Sequence, residues 1–134
     1  MRYAVLAFVL LLAACARPPS NCTPATRVEL FFGRTIAPTE ANPRGEVSEA
    51  QWRRFLDEEV TPRFPDGLSV LDVQGRWRDR ATGRNVNERS KLVILIVQSG
   101  QEVGTRIDEL TAAYKARFRQ GAVLRLSEPT CAAF

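Results

Sequence analysis

The segment Leu92-Val93-Ile94-Leu95-Ile96-Val97 restricts the fold more than any other, because it offers no polar side chain to either face of a strand. Successive side chains of a strand point to opposite sides. Both sides of this one therefore need at least partial cover, which makes it a central strand. It is read from Glu88 to Val97 and needs neighbours, and three segments supply them by alternation or by β-branched and aromatic content. Arg27-Val28-Glu29-Leu30-Phe31-Phe32 is the first. Leu71 to Trp77 is the second, with Leu71, Val73, Gly75 and Trp77 expected on the core side and Asp72, Gln74 and Arg76 on the other. Ala122 to Glu128 is the last, halted by Pro129.

Two amphipathic helices fall between these strands. Ser48 and Gln51 have capping-box spacing, and Val47 with Trp52 fits a hydrophobic staple across the cap. Trp52, Phe55, Leu56 and Val60 continue as a helical stripe that Thr61-Pro62 ends. Ser99 and Glu102 repeat the capping spacing, and Val103, Ile107, Leu110, Tyr114 and Phe118 form a second stripe, with Gly121 expected to close the helix. Gly33 to Glu46 has no periodicity and reads as a long loop, Pro65-Asp66-Gly67 as a turn, and Asp79 to Asn87 as a polar hairpin loop. The order is β-α-β-β-α-β, an α+β chain on the ferredoxin-like plan. Right-handed crossovers then predict a four-stranded antiparallel sheet of order 4-1-3-2 with both helices on one face.

The N-terminus carries Arg2, then an uncharged stretch from Tyr3 to Ala14, then Cys15. One positive charge and a short apolar run make a secretory signal, too short to cross a hydrocarbon core of roughly 30 Å. Leu12-Ala13-Ala14-Cys15 matches the bacterial lipobox, which predicts removal of residues 1–14 and lipidation of Cys15. Residues 15–26 are then the lipidated Cys and a Pro-rich tether, and 27–134 a single domain. The chain is expected in the cell envelope as a lipid-anchored membrane protein. Ala16 after the Cys resembles the signal for an outer-membrane destination facing the periplasm. Cys22 and Cys131 remain, and two cysteines in an oxidising compartment read as one disulfide. The predicted order sets the start of the first strand beside the end of the last, which is where these two cysteines stand. Such a bridge would leave residues 16–21 free, about 20 Å even when extended.

The chain contains no histidine, which excludes His-based triads, His acid/base chemistry and most transition-metal sites. A net charge of +4 on 134 residues is too mild for a nucleic-acid binder. The topology gathers Arg34, Arg44, Arg78, Arg80, Arg84, Arg117 and Arg119 at one end, with Cys22, Cys131 and Asp57-Glu58-Glu59 expected at the other. That Arg-rich end reads either as a solvated loop surface or as a site for an anionic envelope partner. Alternation assigns Glu29, Phe31, Asp72, Gln74, Arg76, Val123 and Arg125 to the helix-free face of the sheet. Arg89, Lys91, Val93 and Leu95 are expected there too, although the register of their strand is ambiguous. Three readings of this face stay open: cross-strand ion pairs, a homodimer interface, or the floor of a small ligand site. Glu29 with Asp72 as an acid/base pair, Ser90 as a nucleophile pointing into the core, and Asp57-Glu58-Glu59 as a calcium site all lack the required geometry. No residue is assigned a catalytic or metal role, and no cofactor is expected.

Several stretches together resemble domain-of-unknown-function family 3574, an uncharacterised bacterial family. They are Val28-Glu29-Leu30-Phe31-Phe32-Gly33; the run from Val47 to Trp77, with Thr61-Pro62-Arg63-Phe64-Pro65-Asp66-Gly67-Leu68; Glu88-Arg89-Ser90-Lys91; and Tyr114 to Arg125. The resemblance implies an exported domain and transfers no reaction. The expectation is a non-enzymatic envelope lipoprotein that binds a partner or self-associates. The rival is a small cofactor-free enzyme that holds an anionic metabolite with Arg76, Arg89 and Lys91.

Overall fold

The computed structural model describes residues 21–98 and 102–133. The signal, Cys15 and Ser99 lie outside them. Strand β1 (Thr23–Gly33) leads through a loop to helix α1 (Glu49–Phe55), which runs on through a π-helical turn (Leu56–Val60) into α2 (Thr61–Arg63). Strands β2 (Ser69–Arg78) and β3 (Asn85–Gln98), helix α3 (Val103–Phe118) and strand β4 (Leu124–Ala132) follow. The fold is α+β, with four antiparallel strands ordered β2-β3-β1-β4, which is β4-β1-β3-β2 counted from the other edge. The apolar run expected to be central does lie in an interior strand, β3.

Alternation along β1 turns Val28, Leu30 and Phe32 toward the helices, and Val93, Leu95 and Val97 join them from β3. Trp52, Phe55, Val60 and Phe64 pack on this surface together with Ile107, Leu110, Tyr114 and Phe118 of α3. Its middle is aromatic: Phe32 and Tyr114 have ring centroids 4.8 Å apart, Phe55 and Tyr114 5.0 Å, and Phe32 and Trp52 5.4 Å. Pairs tilted in this way contribute about 0.5–1.5 kcal/mol each beyond the area they bury. The Tyr114 hydroxyl donates to the Gly33 carbonyl at 2.8 Å, so the buried ring has a satisfied polar end. Burial pushes its phenol pKa up and keeps it a donor.

Local chemistry sets the element ends. The Ser48 hydroxyl accepts from the Gln51 amide, and the Gln51 side chain accepts from the Ser48 amide, a complete capping box. The helical body passes Pro62 and stops at Arg63. Proline lacks an N–H and crowds the carbonyl four residues back, and a π-helical turn stands directly ahead of it. Helix α3 has Glu102 as its N-cap with no side-chain capping bond. It ends on Arg119 in the left-handed conformation (φ 54°), so Arg119 takes the role expected of Gly121. Pro129 does not stop β4 either, which runs to Ala132. It pairs with Thr26 on an edge strand, where a missing N–H can face solvent.

Two segments are more ordered than expected. Residues 23–26, read as tether, are the first residues of β1; all four pair with β4, and Ala25 and Thr26 pair with β3 as well. The loop from Arg34 to Val47 folds back on itself, with Ile36 N–H to Gly45 O at 2.8 Å and Val47 N–H to Arg34 O at 2.8 Å. Gly45 has φ 60°, and a Cβ there would stand 2.7 Å from the Ile36 carbonyl oxygen, so this reversal requires glycine. Among the described residues no helix is long and apolar enough to cross a membrane.

Candidate functional site

Directly paired residues on neighbouring strands share a face of the sheet, so the register settles what the helix-free face contains. Phe31 pairs with Leu92 on one side and Leu124 on the other, and Leu92 pairs with Leu71. Leu71, Leu92, Phe31 and Leu124 therefore form an apolar row across all four strands. The adjacent row is Ser69, Ile94, Glu29 and Leu126, and the next holds Ile96, Arg27 and Glu128. In the other direction lie Val73 and Ser90, then Gly75 and Glu88, then Trp77 and Val86. Leu71, Trp77, Ile96, Leu124 and Leu126 are between 43% and 56% exposed. Among the charges on this face, Arg27 meets Glu29 at 2.6 Å and Glu128 at 3.9 Å.

This face differs from the half-charged one expected. Glu29 and Phe31 are on it, whereas Asp72, Gln74, Arg76, Arg89, Lys91 and Arg125 are on the helix side. Lys91 pairs with Phe32, and Arg125 with Leu30, both core positions. Asp72 stands opposite Lys91 and Gln74 opposite Arg89, so β2 follows β3 to the same side. Val93 and Leu95 are core, not open-face, residues. Val123 packs against the core as well, and Ser90 is buried on the side away from the helices. The physical reason is that both faces are apolar near the middle of the sheet. Alternation separates the two sides of each strand but does not say which one the helices cover: the expectation holds for β1 and is inverted for β2, β3 and β4.

The displaced charges make an ionic cluster where α1 meets the sheet. The buried Lys91 ammonium lies 2.7 Å from Asp72 and 2.9 Å from Glu49. The buried Arg34 guanidinium bonds the Val47 carbonyl at 2.8 Å and pairs with Glu49 at 3.2 Å and Glu46 at 3.3 Å. Arg89 reaches Glu46 at 3.5 Å. The hydrogen bond from Lys91 holds the Asp72 carboxyl below the usual carboxylate range. This arrangement ties the β1–α1 loop and the start of α1 to β2 and β3. The cleft at Arg76 is bounded by Trp77, Arg78 and Asn85, and neither Arg89 nor Lys91 lines it.

The expected division into a basic and an acidic end does not hold. Arg117 pairs with Glu58 and Glu59 at 3.0 Å each, so the acidic triplet packs beside α3 rather than at the cysteine end. Arg34 is internal, and the Arg78 side chain donates to the Gly83 carbonyl in its own hairpin. Arg125 reaches Asp108 of α3 at 3.4 Å. Two clefts flank the open face. One of about 340 Å³ has Phe64, Asp66, Gly67 and Arg106 along its wall, and one of about 300 Å³ lies over Arg27, Glu29, Leu126 and Glu128. Among the described residues no group of three or more cysteine or acidic side chains is gathered for a metal ion. Cys22 and Cys131 have Cα atoms 5.5 Å apart, a disulfide-compatible pair at the joined ends of β1 and β4.

The residues that sequence reasoning missed are Leu71, Trp77, Leu92, Ile94, Ile96, Leu124 and Leu126. One signal could have found them. Leu92, Ile94 and Ile96 alternate with core residues inside a fully apolar run, so a second apolar surface was already implied.

Among curated proteins none matches this chain. Solved structures of similar fold include a phage SAM lyase in complex with S-methyl-5'-thioadenosine. It is 14% identical with a TM-score of 0.56, and the match covers 89% of this chain and 95% of that one. CutA from Synechococcus elongatus is 12% identical with a TM-score of 0.50, over 81% and 80% of the two chains. At such identities the likeness is one of fold. A family model described as "Protein of unknown function (DUF3574)" matches residues 27–134, and the chain belongs to that family.

Proposed function

We propose that this protein is a lipid-anchored domain of the bacterial cell envelope that works by binding, with the helix-free face of its sheet as the binding surface. The observation that carries this reading is the apolar row Leu71, Leu92, Phe31 and Leu124, extended by Ile94, Ile96 and Leu126. An exposed contiguous apolar patch marks an interaction surface more often than a solvated one. Location rests on the lipobox at Leu12-Ala13-Ala14-Cys15, with a Cys22–Cys131 disulfide as the oxidised state of the domain. The element order supports the finer description of the fold as ferredoxin-like. An enzyme acting on an anionic metabolite has weaker support, because Lys91 is closed in by Asp72 and Glu49.

Hydroxyl-radical footprinting of the full chain in its own membranes tests the reading. Trp77, Leu124 and Leu126 should label several-fold less than their exposure in the isolated domain demands, while the helix surface around Arg54 labels normally. Full labelling of the sheet face would overturn the binding reading. In the same preparation a Cys15→Ser precursor should leave the membrane fraction, and unchanged fractionation would overturn the anchor.

A further inference from the structure

We infer that the occupant of this face is a second copy of the same chain, and that the β2–β3 ribbon carrying Trp77 reaches onto that copy. The inference rests on the reading of the face as a binding surface and adds the identity of the partner. Three observations point to it.

The first is area. Leu71, Trp77, Ile96, Leu124 and Leu126 are each about half exposed, and Phe31, Leu92 and Ile94 contribute smaller shares. Together they present on the order of 500 Å² of apolar surface, against ~300–600 Å² for the largest patch of an ordinary monomer and ~800 Å² per partner in a standard interface. That is in the upper part of the monomer range, and because a standard interface is only a little over half apolar, the patch with its polar rim approaches the area of one side of such an interface.

The second is charge. Arg27 pairs with Glu29 and Glu128 near one end of this face, Glu88 stands toward the other, and the arginines expected there are on the helix side. One basic side chain against three acidic ones offers nothing to an anionic partner, and the apolar row between them carries no charge. That uncharged row fits another apolar surface, and the chain itself carries one. Such a contact is self-complementary, the commonest arrangement of soluble oligomers. A lipid on Cys15 would hold copies on one surface with their sheets mutually available, which raises their effective concentration.

The third is the ribbon. The last pair between β1 and β3 is Gly33 with Ser90; just beyond it the Arg34 amide donates to the Arg89 carbonyl and Glu46 reaches the Arg89 side chain. Five further pairs, from Gln74–Arg89 to Arg78–Asn85, continue with β2 and β3 alone. A two-stranded ribbon is marginal in water without something packed on it. Its apolar side chains Trp77 and Val86 lie on the same side as the apolar row, so a body seated on the open face would also cover them. A half-exposed Trp at the rim of an apolar surface is a typical interface anchor.

The test uses the full chain in its membranes, expressed as two co-produced copies with different epitope tags. A photo-reactive benzoylphenylalanine replaces Leu126 on the sheet face, or Arg54 on the outer helix surface as a control. The expected result is a cross-linked product carrying both tags from position 126 and none from position 54. Trp77→Glu should reduce that product roughly tenfold or more, with the Cys22–Cys131 bridge on a non-reducing gel reporting that the variant still folds. Leu124→Glu serves the same purpose if Trp77→Glu fails to fold. A product at 126 that joins only one tagged chain to a different protein overturns the second-copy inference and leaves the binding face standing. No product at 126, together with full labelling in the footprint, overturns both.

Discussion

Lys91 owes its burial to two carboxylates that are themselves mostly in water: the Asp72 side chain is 75% exposed and that of Glu49 is 53%. That asymmetry makes the cost of mutation depend on which partner is removed. Glu49→Gln combined with Asp72→Asn leaves an ammonium in a buried site without a counter-charge and should destabilise by about 3 kcal/mol. Lys91→Met removes the charge along with the need for it, and keeps a side chain of similar length. It should change stability by less than about 1 kcal/mol. Urea unfolding of the three proteins checks this order, and a Lys91→Met loss as large as that of the double variant would refute it. At this scale the sequence was informative about pairing. Asp72, Lys91, Val93 and Leu95 were placed together on one side, and they are together. What the residues could not say is that the side they share is the one beneath α1.

Within single elements, local signals were legible where they act through the backbone. Ser48 and Gln51 specify their own helix start, because a capping box needs only four residues to form. The stripe from Ile107 to Phe118 was equally plain, since every member is buried. The ends governed by tertiary context were not legible. Nothing local shows that Pro129 sits on an edge strand, or that Arg119 rather than Gly121 turns left-handed. The second point has a measurable consequence. A non-glycine residue in that conformation costs about 1 kcal/mol, so Arg119→Gly should stabilise the domain by up to about 1 kcal/mol, read as a higher midpoint of unfolding. A lower midpoint would mean that the Arg119 side chain contributes more than its backbone costs. The inverted reading of the sheet has the same origin. Helices α1 and α3 cover the middle of β1 and β3, while the edge strand β2 presents Leu71 and Trp77 to the uncovered side. Hydrophobic alternation reports avoidance of water and not the identity of the cover.

For the whole molecule, acid should be the sensitive direction. Lys91 lowers the Asp72 carboxyl pKa, Arg54 and then Arg117 lower that of Glu58, and the Thr82 and Ala81 amides lower that of Asp79. A carboxyl whose folded pKa lies below its unfolded value of ~4 contributes stability that is complete above that value. The contribution is lost as pH falls through the folded pKa. The melting temperature should therefore hold from neutral pH to about 5 and drop below about 4. Asp72→Asn should flatten part of that drop, and an unaltered profile would remove Asp72 from the account. Strand β3 adds one more consequence. Its 14 residues run from Gln98, beside the cysteine end, to Asn85 at the tip of the ribbon. At ~3.3 Å per residue that is a rod of roughly 45 Å. In a chain held by a lipid at the cysteine end, β3 is a ruler as well as a sheet member. It sets how far above the bilayer Trp77 can stand, and so the depth of the envelope layer in which an encounter with a neighbour can take place.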